Sequence, residues 1–569
     1  MDARQCCEQA LAIDPEDANA MHLLGVLALH ARQHDQAVEW FTRAIRKHPK
    51  AEYLSSLGIA LKQQGRLDEA LRVFDKAVQL KPDDAELWKH LAGGLAALGR
   101  VSEALLSYQH ALKLDPSHWE AAYESGLLFY QSGRFDEALL CFERCDDLRP
   151  EHAPTLQMHA RTLRALKRYE DYLTYSQRAH DLDATDPANC NNIGDALTWL
   201  GRVEEGLMWY DKALELRPDF VDVLVNKAFA LVQAHRFDEA LSVYEHVKTL
   251  DPNNSKSAFH LSHLHLLRGD FEDGWTLREA RWKVTDFSPD YPRFAQPAWL
   301  GEEAIKGKAI LIHADEGIGD TIQFARYVPT LAARGARIIL RVQDALCPLL
   351  SGLPGVVQCL PFSNPGLPSF DMHCPVMSLP LAFGSTLETI PSATYLPPLS
   401  PERLQVWRDR LGSNDRLRVG LVWSGNAKQA NDRNRSMPFS ALRPLLDLGA
   451  TFVTLQKDPR PDDRTLLNER SDIVDLTAHL TDFAETAALV SNLDLVITVC
   501  TSVAHLAGAL GRPTWIMLPY LPDWRWLLDR EDSPWYPTAR LFRQDENCSY
   551  ARVVDRVRTE LIAELAKAR

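Results

Sequence analysis

Small and aromatic residues recur through the first half of the chain at a fixed interval. Gly25 is followed by Ala37, Phe41, Ala44 and Pro49, and Gly58 by Ala70, Phe74, Ala77 and Pro82. Ala92 is followed by Ala104, Tyr108, Ala111 and Pro116, and Gly126 by Ala138, Phe142, Cys145 and Pro150. The period is 33 residues once and 34 thereafter. Such a period predicts helix pairs stacked into a solenoid. Further copies follow around Ala160, Tyr172 and Ala179, around Gly194, Tyr210, Ala213 and Pro218, and around Ala228, Ala240, Tyr244 and Pro252, with a worn copy at Gly274 and Trp275. Ala3, Cys7, Ala10 and Pro15 have the spacing of a second helix alone, so the array is expected to begin inside a repeat. Beyond Trp275 the period changes. The apolar runs "KAILIHA", "ARIILRV" and "VVQCLPF" alternate with helical stretches, and after "PSATYLPPLSPE" come "LRVGLVWSG", "TFVTLQ", "DIVDLT", "DLVITVC" and "PTWIMLP". This βαβα alternation predicts two parallel sheets.

The 34-residue pattern resembles the tetratricopeptide repeat, with about seven clear copies and two partial ones. In that reading the small eighth and twentieth residues let the paired helices approach, the aromatic at the twenty-fourth fills the space beside them, and Pro closes the second helix. Such a solenoid offers a concave groove lined by the first helix of each pair. The groove-facing sixth positions run Leu23, Ser56, His90, Glu124, Met158, Asn192, Asn226 and His260. Asn192 and Asn226 are candidate acceptor-binding residues, since stacked amides both donate to and accept from a peptide backbone. The alternative is two polar residues on a wet surface.

In the second half, "GIGDTIQFARYVPTL", "GLVWSGN", "FVTLQKD" and "TSVAHLAGALGRPTWIMLPYLPDWRW" resemble bacterial tetratricopeptide-repeat glycosyltransferases, whose catalytic half is similar to heptosyltransferases. The resemblance implies an α-solenoid followed by an α/β GT-B fold of two Rossmann-like halves. The expected divisions are repeats over residues 1–284, a linker over 285–306, an acceptor-side half over 307–397 and a nucleotide-sugar half over 398–569. Ligands of such sheets bind beyond the carboxyl ends of the strands.

The turn "ADEGIGDTIQ" crowds Asp315, Glu316 and Asp320 where many such turns hold phosphate. The resemblance implies a different use: Asp320 is the general base that takes the acceptor hydroxyl's proton, and Gly317 and Gly319 keep the turn open to the acceptor. Capping of the following helix is the plain alternative for Asp320. One or both of Asp315 and Glu316 read instead as solvated turn residues. On the donor side, Thr501 and Ser502 open a helix whose free N–H groups suit a diphosphate, and His505 lies one turn in. Lys457, beside Gln456 at a strand end, is the candidate to stabilise the departing diphosphate. Gln456, and Trp423, Ser424, Gly425, Asn426 and Arg433 at the end of "GLVW" and in the loop after it, are further donor-binding candidates; that loop also carries Lys428 and Arg435. Trp524 either shapes a donor pocket or packs between domains. Cys500 stands where the family pattern has an acid, a departure that bears on donor choice and activity.

The net charge of -14 argues against nucleic-acid or anionic-membrane binding. There is no cationic-then-apolar N-terminus and no apolar run near 20 residues, so no stable membrane insertion and a cytoplasmic location are expected. The ten scattered cysteines read as free thiols. No strand-end carboxylate pair suits a metal, and none is expected; nor is a cofactor, the nucleotide-sugar being a co-substrate. The expected function is inverting, metal-independent transfer of a sugar from a nucleotide-sugar to a protein or peptide acceptor held by the repeats. The alternatives are a transferase acting on a cell-envelope saccharide and a non-catalytic scaffold with a decayed transferase domain.

Overall fold

A computed structural model describes residues 3–284, 292–413, 415–427, 429 and 431–567. Lys428 and residues 285–291 of the expected linker lie outside the described residues. The chain divides into two compact units, Met1–Ala234 and His235–Arg569.

The first unit is a run of antiparallel helix pairs, beginning with the helix Ala3–Ile13 and the pair Ala18–His30 and His34–Lys47, and continuing to Pro187–Trp199, Val203–Leu216 and Val221–Gln233. The periodic glycines are places of backbone-to-ring contact. A Cβ on Gly25 would come within 2.5 Å of the Phe41 ring, and one on Gly58 equally close to Phe74. Phe41, Phe74 and Phe142 are buried in consequence, each contributing about 1.5–3 kcal/mol of burial energy. The turn between paired helices uses a left-handed residue, glycine at Gly65, Gly99, Gly133 and Gly201 but Arg32 and Lys167 in two repeats. Asp17, Asp84 and Asp186 cap first helices by accepting backbone N–H bonds. Asn226 donates to Asn191 Oδ1 at 3.0 Å, and Asn192, next to Asn191 in the helix Pro187–Trp199, is half-buried.

The second unit opens with helices Phe237–Leu250, Ser255–Arg268 and Phe271–Arg278 and the 3-10 turn Glu279–Lys283. The expected boundary at residue 284 therefore falls inside this unit. The reason is packing: Trp275 is buried with its ring edge-on to Trp524 and Phe324, at 5.2 and 5.9 Å. Two wholly parallel sheets follow. The first contains β1 (Ala309–His313), β2 (Arg337–Val342), β3 (Val356–Pro361) and β4 (Met372–Pro375), in the order β3-β2-β1-β4. The second contains β5 (Arg418–Val422), β6 (Thr451–Thr454), β7 (Ile473–Asp475), β8 (Leu495–Val499), β9 (Thr514–Leu518) and β10 (Ala539–Arg543), in the order β10-β9-β8-β5-β6-β7. Both follow the strand order of doubly wound sheets, reversing direction between β1 and β4 and between β5 and β8. Strands β4 and β10 are additions to the eight read from the apolar runs. The first is short and ends in Pro; the second carries two arginines among three apolar residues at a sheet edge. The central strands β1, β5, β8 and β9 are buried along their whole length, as parallel strands covered on both faces must be.

Candidate functional site

Two strand-end regions meet in the second unit. After β1 the chain turns at Gly317 and enters the helix Ile318–Phe324. After β8 it turns at Thr501 into the helix Ser502–Ala509. A Cβ on Gly319 would lie 2.8 Å from His505 Cδ2 and 3.5 Å from Ser502 Cα. Glycine at 319 thus admits the second helix. Gly317 is exposed, and its N–H donates to Asp320 Oδ2 at 2.8 Å. The helix starts at Ile318, so Asp320 sits in its first turn and reaches back to the residue before it, a capping contact.

Asp320 also meets Arg525 through its other oxygen. Burial pushes the Asp320 carboxyl up; Arg525 opposes the rise, and Glu316 and Asp523 add to it. The carboxylate keeps a fifth of its side-chain surface open.

Asp315 and Glu316 are not solvated. Asp315 is fully enclosed, accepts from Arg281 Nε and Nη2 at 3.1 and 3.0 Å and from the Met377 N–H at 3.1 Å, and is pushed by burial up to about 6 against the pull of Arg281. Glu316 accepts from Arg278 Nη2 at 2.5 Å. Burial alone would raise Glu316, but Arg278, Arg281 and Arg525 together hold it below the usual carboxylate range. Arg281 also reaches Ser378 Oγ at 2.6 Å and Glu279 Oε1 at 2.5 Å. The two acids thus tie the turn to the last helix of the worn repeat, at partners more than thirty residues upstream. Removing one partner of a buried pair strands the other, so Arg281→Met should cost about 3–5 kcal/mol of stability. Urea unfolding measures it; a loss near zero would show that the pair does not anchor the turn.

At the second sheet's switch point, the loops after β5 and β8 are bridged by Arg435, whose Nη1 donates to the Cys500 carbonyl at 3.0 Å. Its guanidinium lies over Gly425, where a Cβ would meet Nη2 at 2.5 Å. Asp432, buried, holds Arg435 at 3.3 Å and Arg460 at 2.7 Å and accepts from Ser436 Oγ. Gln456 Oε1 accepts the N–H groups of Trp423 and Ser424 at 3.3 and 3.1 Å, fixing the turn. The Ser424 hydroxyl is buried without a hydrogen-bond partner. Lys457, Asn426 and Arg433 are exposed around these strand ends. Thr501 and Ser502 are half-buried at the helix start, and Thr501 Oγ1 lies 3.3 Å from Thr498 Oγ1.

Several aromatic and histidine candidates lie deeper. Trp423 is in the core of the second sheet, donating to Asp463 Oδ2 at 2.9 Å and packing on Phe439. Asp463, in the stretch "PDD", is thereby a structural acceptor and also takes the Phe439 N–H at 2.7 Å. Trp524 is buried against Trp275, Trp535 and Phe324, with Arg525 over its ring at 4.2 Å. His505 is buried, stacks on Trp526 and bonds Tyr536 OH through Nδ1 at 3.0 Å. Burial, with Arg525 nearby, lowers it to about 3, so it is a neutral imidazole. Cys500 accepts from Trp526 Nε1 at 3.1 Å, and burial pushes its thiol up to about 11. Its turn is ordered by its carbonyl and sulfur, without a carboxylate.

Arg435 and Arg525 are the site residues that sequence reading did not select. Arg435 is marked by the loop "WSGNAKQANDRNRS", where three cations compete for attention. Arg525 sits in an aromatic stretch, and nothing local signals its partner 205 residues upstream. Among the described residues no group of three or more His, Cys, Asp or Glu side chains is placed to hold a metal ion, and no helix is long and apolar enough to cross a membrane.

Comparison with known proteins identifies the repeats. Tetratricopeptide-repeat models match residues 1–52, 41–85, 55–118, 91–153 and 187–220. Protein FlbA of Caulobacter vibrioides is 28% identical over 407 residues, 65% of each chain, so the chain spans 65% of that relative's length. Human protein O-mannosyl-transferase TMTC1 is 40% identical over 77 residues, 14% of this chain and 9% of that one. Among solved structures, YrrB, a tetratricopeptide-repeat protein described as having an unusual peptide-binding site, is 24% identical, covers 32% of this chain and 95% of its own, and superposes with a TM-score of 0.30. The first part of the chain is a tetratricopeptide-repeat solenoid, followed by parallel α/β sheets.

Proposed function

We propose that the second unit is an inverting, metal-independent glycosyltransferase using a nucleotide-sugar, and that the repeats recruit its protein acceptor. The observation that supports this reading is the contact of the Gly319 turn with the helix Ser502–Ala509, which brings the turn bearing Asp320 to the start of that helix. Asp320 accepts the proton of the acceptor hydroxyl as that oxygen attacks C1 of the sugar. The nucleoside diphosphate leaves from the opposite side of C1. Its developing charge falls to Arg435, Lys457 and Arg433, with the N–H groups at Thr501 and Ser502. Ser424, a buried hydroxyl with no partner, is a further donor to the leaving group.

The full chain incubated with a panel of uridine, guanosine, cytidine and adenosine diphosphate sugars tests the reading. Hydrolysis of one donor, or its transfer to protein, is expected. A chain that turns over none of them and binds none of the matching nucleoside diphosphates is not such a transferase. Lys457 is exposed and makes no ion pair among the described residues, so Lys457→Ala leaves the fold alone. It should weaken nucleoside diphosphate binding by about tenfold, as loss of one charged hydrogen bond does. Calorimetric titration decides; equal affinity returns Lys457 to the solvated surface.

A further inference from the structure

Arg525 is buried and its donors fan out to three acceptors. Nη2 meets Asp320 Oδ1, Nε donates to Gln323 Oε1 at 2.6 Å, and Nη1 donates to Asp523 Oδ1 at 2.8 Å. Asp320 and Gln323 belong to the helix after β1, whereas Asp523 and Arg525 belong to the segment after β9. One guanidinium therefore joins the carboxyl ends of both sheets. The second Asp320 oxygen is taken by the Gly317 N–H, so both oxygens are held and the plane of the carboxylate is set.

The surroundings of Asp320 push it toward its neutral form, and Arg525 is the first of the charges that limit the push. Glu316 faces it from its own turn and Asp523 from the segment after β9. Arg278, from the worn repeat, is already engaged by Glu316. His505 and His263, the imidazoles around this cluster, are both lowered by burial, to about 3 and about 4, and bring no charge at neutral pH. Three acids thus share two guanidiniums, and Arg525 alone contacts Asp320 directly.

We propose that Arg525 is a positioning residue of the transfer reaction, aiming the Asp320 carboxylate and keeping it ionised so that it can act as base. This rests on the reading of Asp320 as the general base. In the step itself the acceptor O–H proton passes to an Asp320 oxygen as the acceptor O–C1 bond forms. The C1–O bond to phosphate breaks, and the nucleoside diphosphate departs with the electron pair. Arg525 exchanges no proton, because a guanidinium stays charged throughout.

The test is the pH profile of kcat/KM for the full chain, Arg525→Met and Arg525→Lys, with the nucleotide-sugar that the diphosphate-sugar panel identifies. In Arg525→Met the acid limb should move up by about one to three pH units, the range an adjacent opposite charge controls. Donor KM should stay unchanged. Lysine keeps the charge but not the fork. Arg525→Lys should therefore restore the acid limb while kcat stays low, which separates ionisation from aim. It also keeps the test intact should the methionine variant not fold. An acid limb at its wild-type position in folded Arg525→Met overturns the proposal. So does a tenfold rise in donor KM with the limb unmoved, which would make Arg525 a donor ligand. Asp320→Asn with wild-type turnover removes the base assignment and this proposal with it. An inactive Asp320→Asn beside an unmoved limb in Arg525→Met removes this proposal alone.

Discussion

Asp320→Asn is expected to lower turnover by about 100-fold or more, because on the proposed reading it removes the proton acceptor, while Arg525 keeps Asp523 as a counter-ion. Asparagine retains an oxygen to accept the Gly317 N–H, so the start of the helix Ile318–Phe324 should persist. The residues proposed to bind the diphosphate lie on other loops, so nucleoside diphosphate affinity should be unchanged. Stability provides a second readout with a definite sign. Burial raises the folded-state pKa of Asp320, so the fold favours its neutral form. The stability linked to that form is fully present below the unfolded pKa, near 4, and is lost as pH rises through the folded value. Asparagine is neutral at every pH. The variant should therefore be at least as stable as wild type at neutral pH, and the difference should disappear on acidification below about 4. Kinetics and urea unfolding across pH check both statements. Wild-type turnover in the variant would leave Asp320 a capping residue.

The parts of this molecule legible in its sequence are those set by local, repeated packing. A 34-residue period survives because each Gly at the eighth position meets an aromatic ring sixteen residues on, as Gly126 meets Phe142 and Gly194 meets Tyr210. That contact recurs, so its residues recur. The central strands were legible for a related reason: burial on both faces demands unbroken apolar runs, as in β1, "AILIH", and β8, "LVITV". Strand β4, "MHCP", was not, because four residues ending in Pro carry no such signature. The acid turn was half legible. Its glycines and its strand–turn–helix form are local, but the partners of its three acids are not. Arg281 for Asp315, Arg278 for Glu316 and Arg525 for Asp320 come from elsewhere in the chain, and a charged residue alone reads as solvated until the fold supplies its counter-ion. The same holds for Trp423 and Trp524. Both stand in suggestive motifs, and both prove to fill hydrophobic space.

Removal of residues 1–234 should spare donor hydrolysis and abolish transfer to protein. The cut follows the division between the two compact units, and so keeps the helices Phe237–Leu250, Ser255–Arg268 and Phe271–Arg278 with the sheets they accompany. A cut at the expected boundary, residue 284, would instead strip away Arg278, Arg281 and Trp275. It would leave Asp315 and Glu316 unpaired in a buried site, at a cost of about 3–5 kcal/mol for a broken pair. The two truncations therefore separate folding from recruitment. The shorter cut should give a folded protein that hydrolyses donor at the full-length rate, and the longer one a protein that does not fold stably. Loss of protein transfer in the first would then reflect loss of the repeats' many weak contacts along an extended chain, not damage to the chemistry. A milder variant probes the groove directly. Asn192→Ala with Asn226→Ala should remove backbone contacts to the acceptor worth about 0.5–1.5 kcal/mol each. That loss should raise the KM for protein acceptor and leave donor KM alone. If the protein lacking residues 1–234, folded by circular dichroism, modifies its acceptor with unchanged kcat/KM, the repeats do not hold the acceptor, and a saccharide acceptor bound by the second unit alone becomes the better account.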